Sequence, residues 1–346
     1  MDELLINGES IPPGTSTTLE LPLPHLYTRT PMTMPVHVRR GRRAGPSLFV
    51  CAAVHGDELN GVEIIRRLMK RRALSRIRGT IIAVPFVNVY GVIDRSRYLP
   101  DRRDLNRSFP GSGRGSLAAR LADLFMNEIV AHCTHGIDLH TGALHRGNLP
   151  QVRGNLDDEE TLRLAGLFGV PVLINADLRD GSLREAAAAR GIPMLLYEAG
   201  EALRFDEVSI RAGVQGILNV MRGLDMLAPT RGRKRPTHEP FVARSSAWVR
   251  APASGIFRGT VSLGAHVKNN ELLGTIAEPV SDTESEVRAS RGGIVIGRSN
   301  LPLVLEGEAL FHIAGFEDLR EVAEQVEEFQ SSHEEEIESG GEPGIV

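Results

Sequence analysis

Residues 47–72 read SLFVCAAVHGDELNGVEIIRRLMKRR, and this stretch decides the fold class. Ser47 to Val54 is a run of small and branched apolar side chains, the pattern of a buried strand. From Leu59 to Arg72, apolar residues recur at Val62, Ile65, Leu68 and Met69, which is the spacing of one helix face. Between the two stand His55, Asp57 and Glu58 around Gly56. Three polar side chains are thus presented where a strand gives way to a helix, the edge of an open α/β sheet at which ligands bind.

The same alternation continues to about Leu227. Thr80 to Val87, Gly136 to His140, Val170 to Ile174 and Pro193 to Tyr197 read as strands. Helical spacing is predicted over Ser116–His132, with Ser116 as N-cap, and over Asp157–Phe168, Ser182–Arg190 and Phe205–Leu224. This predicts a three-layer α/β/α domain with a mixed sheet over residues 1–228, including an N-terminal β extension. Pro229 to Pro240 (PTRGRKRPTHEP) is basic, proline-punctuated and without apolar periodicity, and is expected to be a solvated linker.

Beyond it the chain repeats itself. VRAPASGIF at 249–257 is echoed by VRASRGGIV at 287–295, and ELLGTIA at 271–277 by EALFHIA at 308–314. Two related halves of short strands predict a small pseudo-symmetric β-domain over 241–316. It is similar to the barrel-sandwich hybrid of biotinyl and lipoyl domains. The connection between its halves, AEPVSDTESEV, has no lysine to modify, so a swinging-arm carrier is excluded and a structural or lid role remains. Residues 317–346 are expected as a helix ending near Phe329 and a disordered acidic tail.

Composition bounds the function. At 346 residues with a formal net charge of −4, the chain offers no concentrated basic surface to argue for nucleic acid. No apolar run approaches bilayer length, and MDELLINGESIPPG lacks the basic and apolar regions of a signal peptide. Cys51 and Cys133 have no CxxC spacing, which fits a reducing compartment. A cytoplasmic protein is expected, with no membrane partner and with homo-oligomer formation left open.

Four constellations carry chemistry. His55 and Glu58 are three apart, so both heads can converge on one ion, and imidazole with carboxylate suits zinc. In GIDLHTG, Asp138 and His140 are two apart on a strand and point to one side. His140 offers a third ligand there, and Asp138 an orienting carboxylate. RYLPDRRDLNRSFPG, 97–111, is an arginine-dense loop suited to gripping a carboxylate in a guanidinium fork, with Asn106 beside Arg107. Glu198 ends the apolar strand MLLYEAGE, where a carboxylate is costly to bury without a partner or a task.

HGDE, DLNRSFPG, DLHTG and EAGE, in this order, closely resemble the succinylglutamate desuccinylase/aspartoacylase family of zinc enzymes on a carboxypeptidase-like α/β fold. The resemblance runs from about Ser47 to Leu227, and the family's C-terminal β-domain accounts for most of the rest. It implies that His55, Glu58 and His140 hold one zinc ion per chain, that Asn106 and Arg107 bind a substrate carboxylate, and that Glu198 is the general base and proton shuttle. The family's further arginine falls on Arg97, Arg102 or Arg103, with Arg102 favoured. Implied, then, is metal-assisted hydrolysis of the amide bond of an N-acyl amino acid. A metallocarboxypeptidase acting on peptides or an amino-acid polymer shares all these residues. A non-catalytic metal-stabilised binding protein would instead need four closed ligands and no base. A serine hydrolase is opposed by the absence of GxSxG.

Overall fold

The computed structural model describes residues 3–229, 241–243, 245–316 and 319–339. The linker expected at 229–240 falls, from residue 230 on, outside these described residues, as do the last residues of the acidic tail, 340–346.

The N-terminal extension is a two-residue ladder, β1 (Leu5–Ile6) with β2 (Glu9–Ser10), followed by the antiparallel pair β3 (Ser16–Leu23) and β4 (Met32–Arg40). Leu19, Leu21 and Leu23 alternate with exposed neighbours, as do Met32, Met34, Val36 and Val38 with less buried ones, so one face of each strand is apolar. Then come β5 (Arg43–Ala52), α1 (Asn60–Met69), β6 (Arg78–Val84), α2 (Val89–Asp94), α3 (Leu117–Glu128), β7 (His135–Gly142) and β8 (Arg146–Gly154). They are followed by α4 (Glu159–Phe168), β9 (Val172–Asn175), α5 (Leu183–Ala188), β10 (Met194–Glu201) and α6 (Glu207–Gly223). Ser116 caps α3 as its sequence predicts, accepting from Ala119 N, and Asp158, Ser182 and Asp206 cap α4, α5 and α6 in the same way.

Across the sheet the order is β9, β8, β10, β7, β5, β6, β4, β3. The central four, β10, β7, β5 and β6, are parallel, and antiparallel strands flank them on both sides. Leu48, Val50, Ile137, Leu139, Leu195 and Tyr197 face the layer of α1, α4 and α6. Phe49, Cys51, Val84 and Met194 face α3 and α5, where Phe49 meets Phe125 edge-on at 6.0 Å between ring centroids. Burying each such side chain contributes roughly 1.5–3 kcal/mol, which is why these strands read as unbroken apolar runs.

β8 is the strand that apolar patterning misses. RGNLPQVRG carries two arginines, two glycines and a proline, yet its nine residues are mostly buried. Pro150 is tolerated because it falls where the ladder to β10 slips, between Glu198 and Gly200, so no ladder hydrogen bond is lost. At its start β8 also pairs with the C-terminal β-structure, Asn148 opposite Gly297 and Arg146 opposite Ser299.

That β-structure is built as the repeat predicts. Its first half is β12 (Ser245–Arg250), β13 (Gly255–Gly259), β14 (His266–Val267) and β15 (Leu272–Ala277). The second half is β16 (Glu284–Arg288), β17 (Gly293–Ser299), β18 (Leu303–Val304) and β19 (Ala309–Gly315). Exchanging the halves maps each pairing onto another: β12–β19 onto β16–β15, β13–β15 onto β17–β19, β13–β18 onto β17–β14. Ahead of the repeat, β11 (Phe241–Ala243) lies parallel to β9 and so joins the large sheet. The final helix, α7 (Leu319–Ser339), runs beyond the predicted end at Phe329 into residues expected to be disordered. Glutamate is a good helix former, and His333 Nδ1 bonds back to the Phe329 carbonyl at 2.8 Å. No helix among the described residues is long and apolar enough to cross a membrane.

His312 of β19 pairs across the ladder with Gly297 of β17, which in turn pairs with Asn148 of β8. Its ring stacks on Trp248 at 4.6 Å, its Nε2 meets Ser246 Oγ at 2.8 Å, and its buried Nδ1 has no hydrogen-bond partner. Burial, then the charge of Arg153, pushes its pKa down to about 3. An unfolded histidine titrates near ~6.5, so below that pH the unfolded chain takes up a proton that folded His312 refuses. The stability supplied by neutral His312 is therefore complete above pH ~6.5 and lost as pH falls toward about 3, by up to ~1.4 kcal/mol per pH unit. Urea denaturation at pH 7 and pH 5 should show wild type losing more stability on acidification than His312→Gln. Equal losses would remove His312 from the account.

Candidate metal centre

The site is assembled where β5 ends. Ala53 takes a left-handed backbone angle (φ 51°), unusual for alanine, and the carbonyls of Ala52 and Ala53 accept from Val87 and Asn88. The chain is thereby turned out of the sheet. His55 to Glu58 then forms a turn closed by Glu58 N–H to the His55 carbonyl at 3.1 Å. Gly56 does not supply an unusual dihedral here. It supplies space, since a Cβ at that position would lie 2.0 Å from the Gly91 carbonyl carbon of α2. Asp57 is buried with Oδ1 unpartnered, and burial followed by Glu58 raises its pKa.

β7 brings the third residue. His55, Glu58 and His140 are all buried, and one donor atom from each lies within 4.8 Å of the others. The Glu58 carboxylate is central: Oε1 is 2.8 Å from His55 Nδ1 and Oε2 is 2.7 Å from His140 Nδ1, with the Thr141 N–H donating to Oε2 at 3.1 Å. The outer nitrogen of each ring is also held. His140 Nε2 meets Asp138 Oδ2 at 2.7 Å, and His55 Nε2 meets Asp104 Oδ1 at 3.1 Å. Cys51 Sγ donates to the other oxygen of Asp138 at 3.3 Å.

A carboxylate behind each Nε2 fixes both rings with Nδ1 turned inward, the arrangement that orients metal-binding imidazoles. The residues therefore fit a divalent metal: two nitrogens and one carboxylate, converging, buried and oriented. Burial opposes charge on Glu58, yet His55 and His140 outweigh it and hold its carboxyl far below the usual range. Burial likewise opposes charging His140, and Asp138 and Glu58 overcome it, raising its pKa well above the ordinary value. His55 is raised by Glu58 and Asp104 against the same burial.

Asp104 is the residue that sequence reasoning passed over. It lies in the arginine loop, caps the short 3-10 turn Leu105–Arg107 through Asn106 N, and takes Arg97 Nε and Nη2 on its second oxygen at 3.2 and 3.1 Å. Arg97 also approaches Glu58 Oε1 at 3.4 Å. Of the three competing arginines, Arg97 is thus the one brought against the cluster. Arg102 is exposed at a left-handed position (φ 61°), where its N–H closes a turn onto Leu99 O, and Arg103 pairs loosely with Asp101. Asn106 is buried with its Oδ1 taken by Leu183 N at the start of α5, while Arg107 is exposed beside it.

Glu198 stands directly beside His140 in the parallel ladder of β10 and β7, and opposite Gln151 of β8. Side chains so paired share a face, so Glu198 lies on the side of Asp138 and His140. Arg153 of β8 holds its carboxylate at 2.5 Å, and both side chains are about one-fifth exposed. Arg184 of α5 is buried with its Nη atoms on the carbonyls of Ala176 and Asp177. Burial, then the charges of Arg153 and Arg179, lowers its pKa. Neither Arg153 nor Arg184 had a sequence signal beyond being arginine.

Comparison with known proteins identifies the family and the fold. The succinylglutamate desuccinylase/aspartoacylase catalytic domain matches residues 44–224. An N-alpha-acetyl-L-2,4-diaminobutyric acid deacetylase from Halomonas elongata is 28% identical over 291 residues, 80% of this chain and 84% of the relative. The crystal structure of a succinylglutamate desuccinylase/aspartoacylase from Rhodobacter sphaeroides superposes with a TM-score of 0.77 at 27% identity, covering 88% of this chain and 95% of the other. The product-bound ectoine utilization protein EutE (DoeB) from Ruegeria pomeroyi shares the fold, with a TM-score of 0.77 at 24% identity over 87% of this chain and 94% of that one. With its catalytic-domain match spanning more than half of its length, the chain belongs to the succinylglutamate desuccinylase/aspartoacylase family of deacylating amidohydrolases.

Proposed function

We propose that the chain is a zinc-dependent deacylase that hydrolyses the amide bond of an N-acyl amino acid. The observation that carries this is the buried His55, Glu58 and His140 trio with Glu198 beside His140 on the neighbouring strand. Three ligands and an adjacent carboxylate suit catalysis, whereas a structural zinc site closes with four ligands. The Halomonas deacetylase makes an N-acetylated diamino acid the first substrate to test. Two buried free cysteines suit a reducing, cytoplasmic setting.

His55, Glu58 and His140 would hold the metal. Zinc supplies Lewis acidity when bound, acidifying water and polarising a carbonyl. Glu198 accepts the proton of the attacking water and passes it to the leaving amine, and Arg153 holds its carboxylate in place for both transfers. Arg97, rather than Arg102, is the guanidinium positioned to meet negative charge developing next to the ligands. Exposed Arg107, beside the side-chain N–H group of Asn106, offers a guanidinium suited to a substrate carboxylate. The β-structure, joined to β8, would form the wall of that approach.

Glu198→Gln should retain one zinc per chain, measured by metal analysis, while turnover of N-alpha-acetyl-L-2,4-diaminobutyrate, N-acetylaspartate and N-succinylglutamate falls ~10²–10⁴-fold. Activity near wild type would overturn the assignment of the base. Asp104→Asn should weaken zinc affinity ~10–100-fold in competition with a chelator, because His55 loses the carboxylate that orients it. Steady-state kinetics should separate the arginines: Arg97→Met lowers kcat/KM at least tenfold, worth about 1.4 kcal/mol of transition-state stabilisation, and Arg102→Met leaves it unchanged. The reverse order would return the role to Arg102.

A further inference from the structure

At the end of the sheet opposite the metal centre, the turn between β4 and β5, the start of β6 and the chain leaving α6 enclose a groove of about 870 Å³. It lies one strand length from His55, roughly 30 Å along β5. Arg39, Arg42, Arg43, Arg76 and Arg78 line it, and among the described residues Asp225 is the one carboxylate that does so. Arg42, Arg43, Arg76 and Arg78 are exposed. Among the described residues none of these five arginines forms a salt bridge; Arg39 bonds only to neutral oxygens, Ser16 Oγ and Met69 O. In a chain whose net charge is −4, these cations are gathered rather than spread. Their mutual repulsion opposes folding unless an anion relieves it.

The groove is also rigidly built. Gly41 N donates to Gly79 O at 2.8 Å, Arg78 N to Met226 O at 2.9 Å, and Gly14 N to Arg40 O at 2.9 Å, so its three walls are tied by backbone bonds. Its size is that of a small-molecule site. Among the described residues no aromatic side chain lines it, as a single-stranded nucleic acid would need for stacking. None of the large exposed apolar side chains among the described residues lies on its rim, as a lipid surface would need.

We propose that this groove is a second binding site, for a small polyanion carrying at least two phosphate or carboxylate groups, each gripped by guanidinium forks. It is separate from the metal centre and stands whether or not the deacylase reading holds.

Isothermal titration of the full chain at low ionic strength tests it, with inorganic pyrophosphate as the phosphate probe and citrate as the carboxylate probe. The expected result is one saturable site whose affinity falls with added salt. The double substitution Arg42→Ala/Arg76→Ala should weaken it at least tenfold without lowering the melting temperature and with amide hydrolysis unchanged. Arg76→Lys, which keeps the charge and loses the fork, should weaken it less than Arg76→Ala. Preference between the probes assigns the phosphate or the carboxylate source. Absence of saturable binding for both, binding indifferent to the double substitution, or a twelve-nucleotide single strand outcompeting both would overturn the proposal.

Discussion

A buried carboxylate held between two imidazoles organises this protein. Glu58 is almost wholly withdrawn from water and is acceptable there only because His55 and His140 meet its two oxygens and Thr141 N–H adds a third bond. Each imidazole is in turn acceptable because a further carboxylate, Asp104 or Asp138, stands behind it. Removing any member leaves a buried charge uncompensated, which costs more than the pair itself contributes. The surrounding elements are placed to keep this chain of charges intact: β5 turns at Ala53, α2 packs tightly against Gly56, and the loop through Asp104 folds back over His55.

β8 gives the arrangement its second half. It carries Arg153 to Glu198 on one stretch and pairs with β17 on another, so the strand that positions the proposed base also anchors the C-terminal β-structure. The slip in the ladder between Glu198 and Gly200 lets this happen: the bulge accommodates Pro150, and Gly200 takes the positive φ of 76° that the bent strand requires. A loss of packing in the β-structure would therefore be felt at Glu198 through one continuous strand. Polarity toward the two ends of the sheet also differs, with buried carboxylates and imidazoles at the C-terminal edge of β5 and exposed arginines at its start.

How much of this was legible before folding follows from the range of the forces involved. Strand and helix periodicity, the Ser116 cap, the internal repeat, and the triplet His55, Glu58 and His140 are local patterns, because backbone geometry repeats every two or 3.6 residues and prints itself on the side chains. Motif order then carried the family and the fold. Gly56 is not of this kind: its constraint is contact with Gly91, thirty-five positions away, and no local pattern reveals it.

What only the tertiary structure decided lies between distant segments. Arg97, Arg102 and Arg103 are equivalent as letters in one loop, and only the folded loop sets Arg97 against Glu58 and Asp104 while leaving Arg102 in solvent. Arg153 meets Glu198 because antiparallel pairing brings together strands separated by two helices. The arginines near residues 40 and 77 look like scattered surface charge until β4, β5 and β6 align their ends around one groove. The sequence by itself determined most of the elements, though not β8, and which residue types could do chemistry, since both depend on neighbours along the chain. Which of those residues meet was settled by the packing of the sheet, because electrostatic contact acts through space and has no periodicity to read.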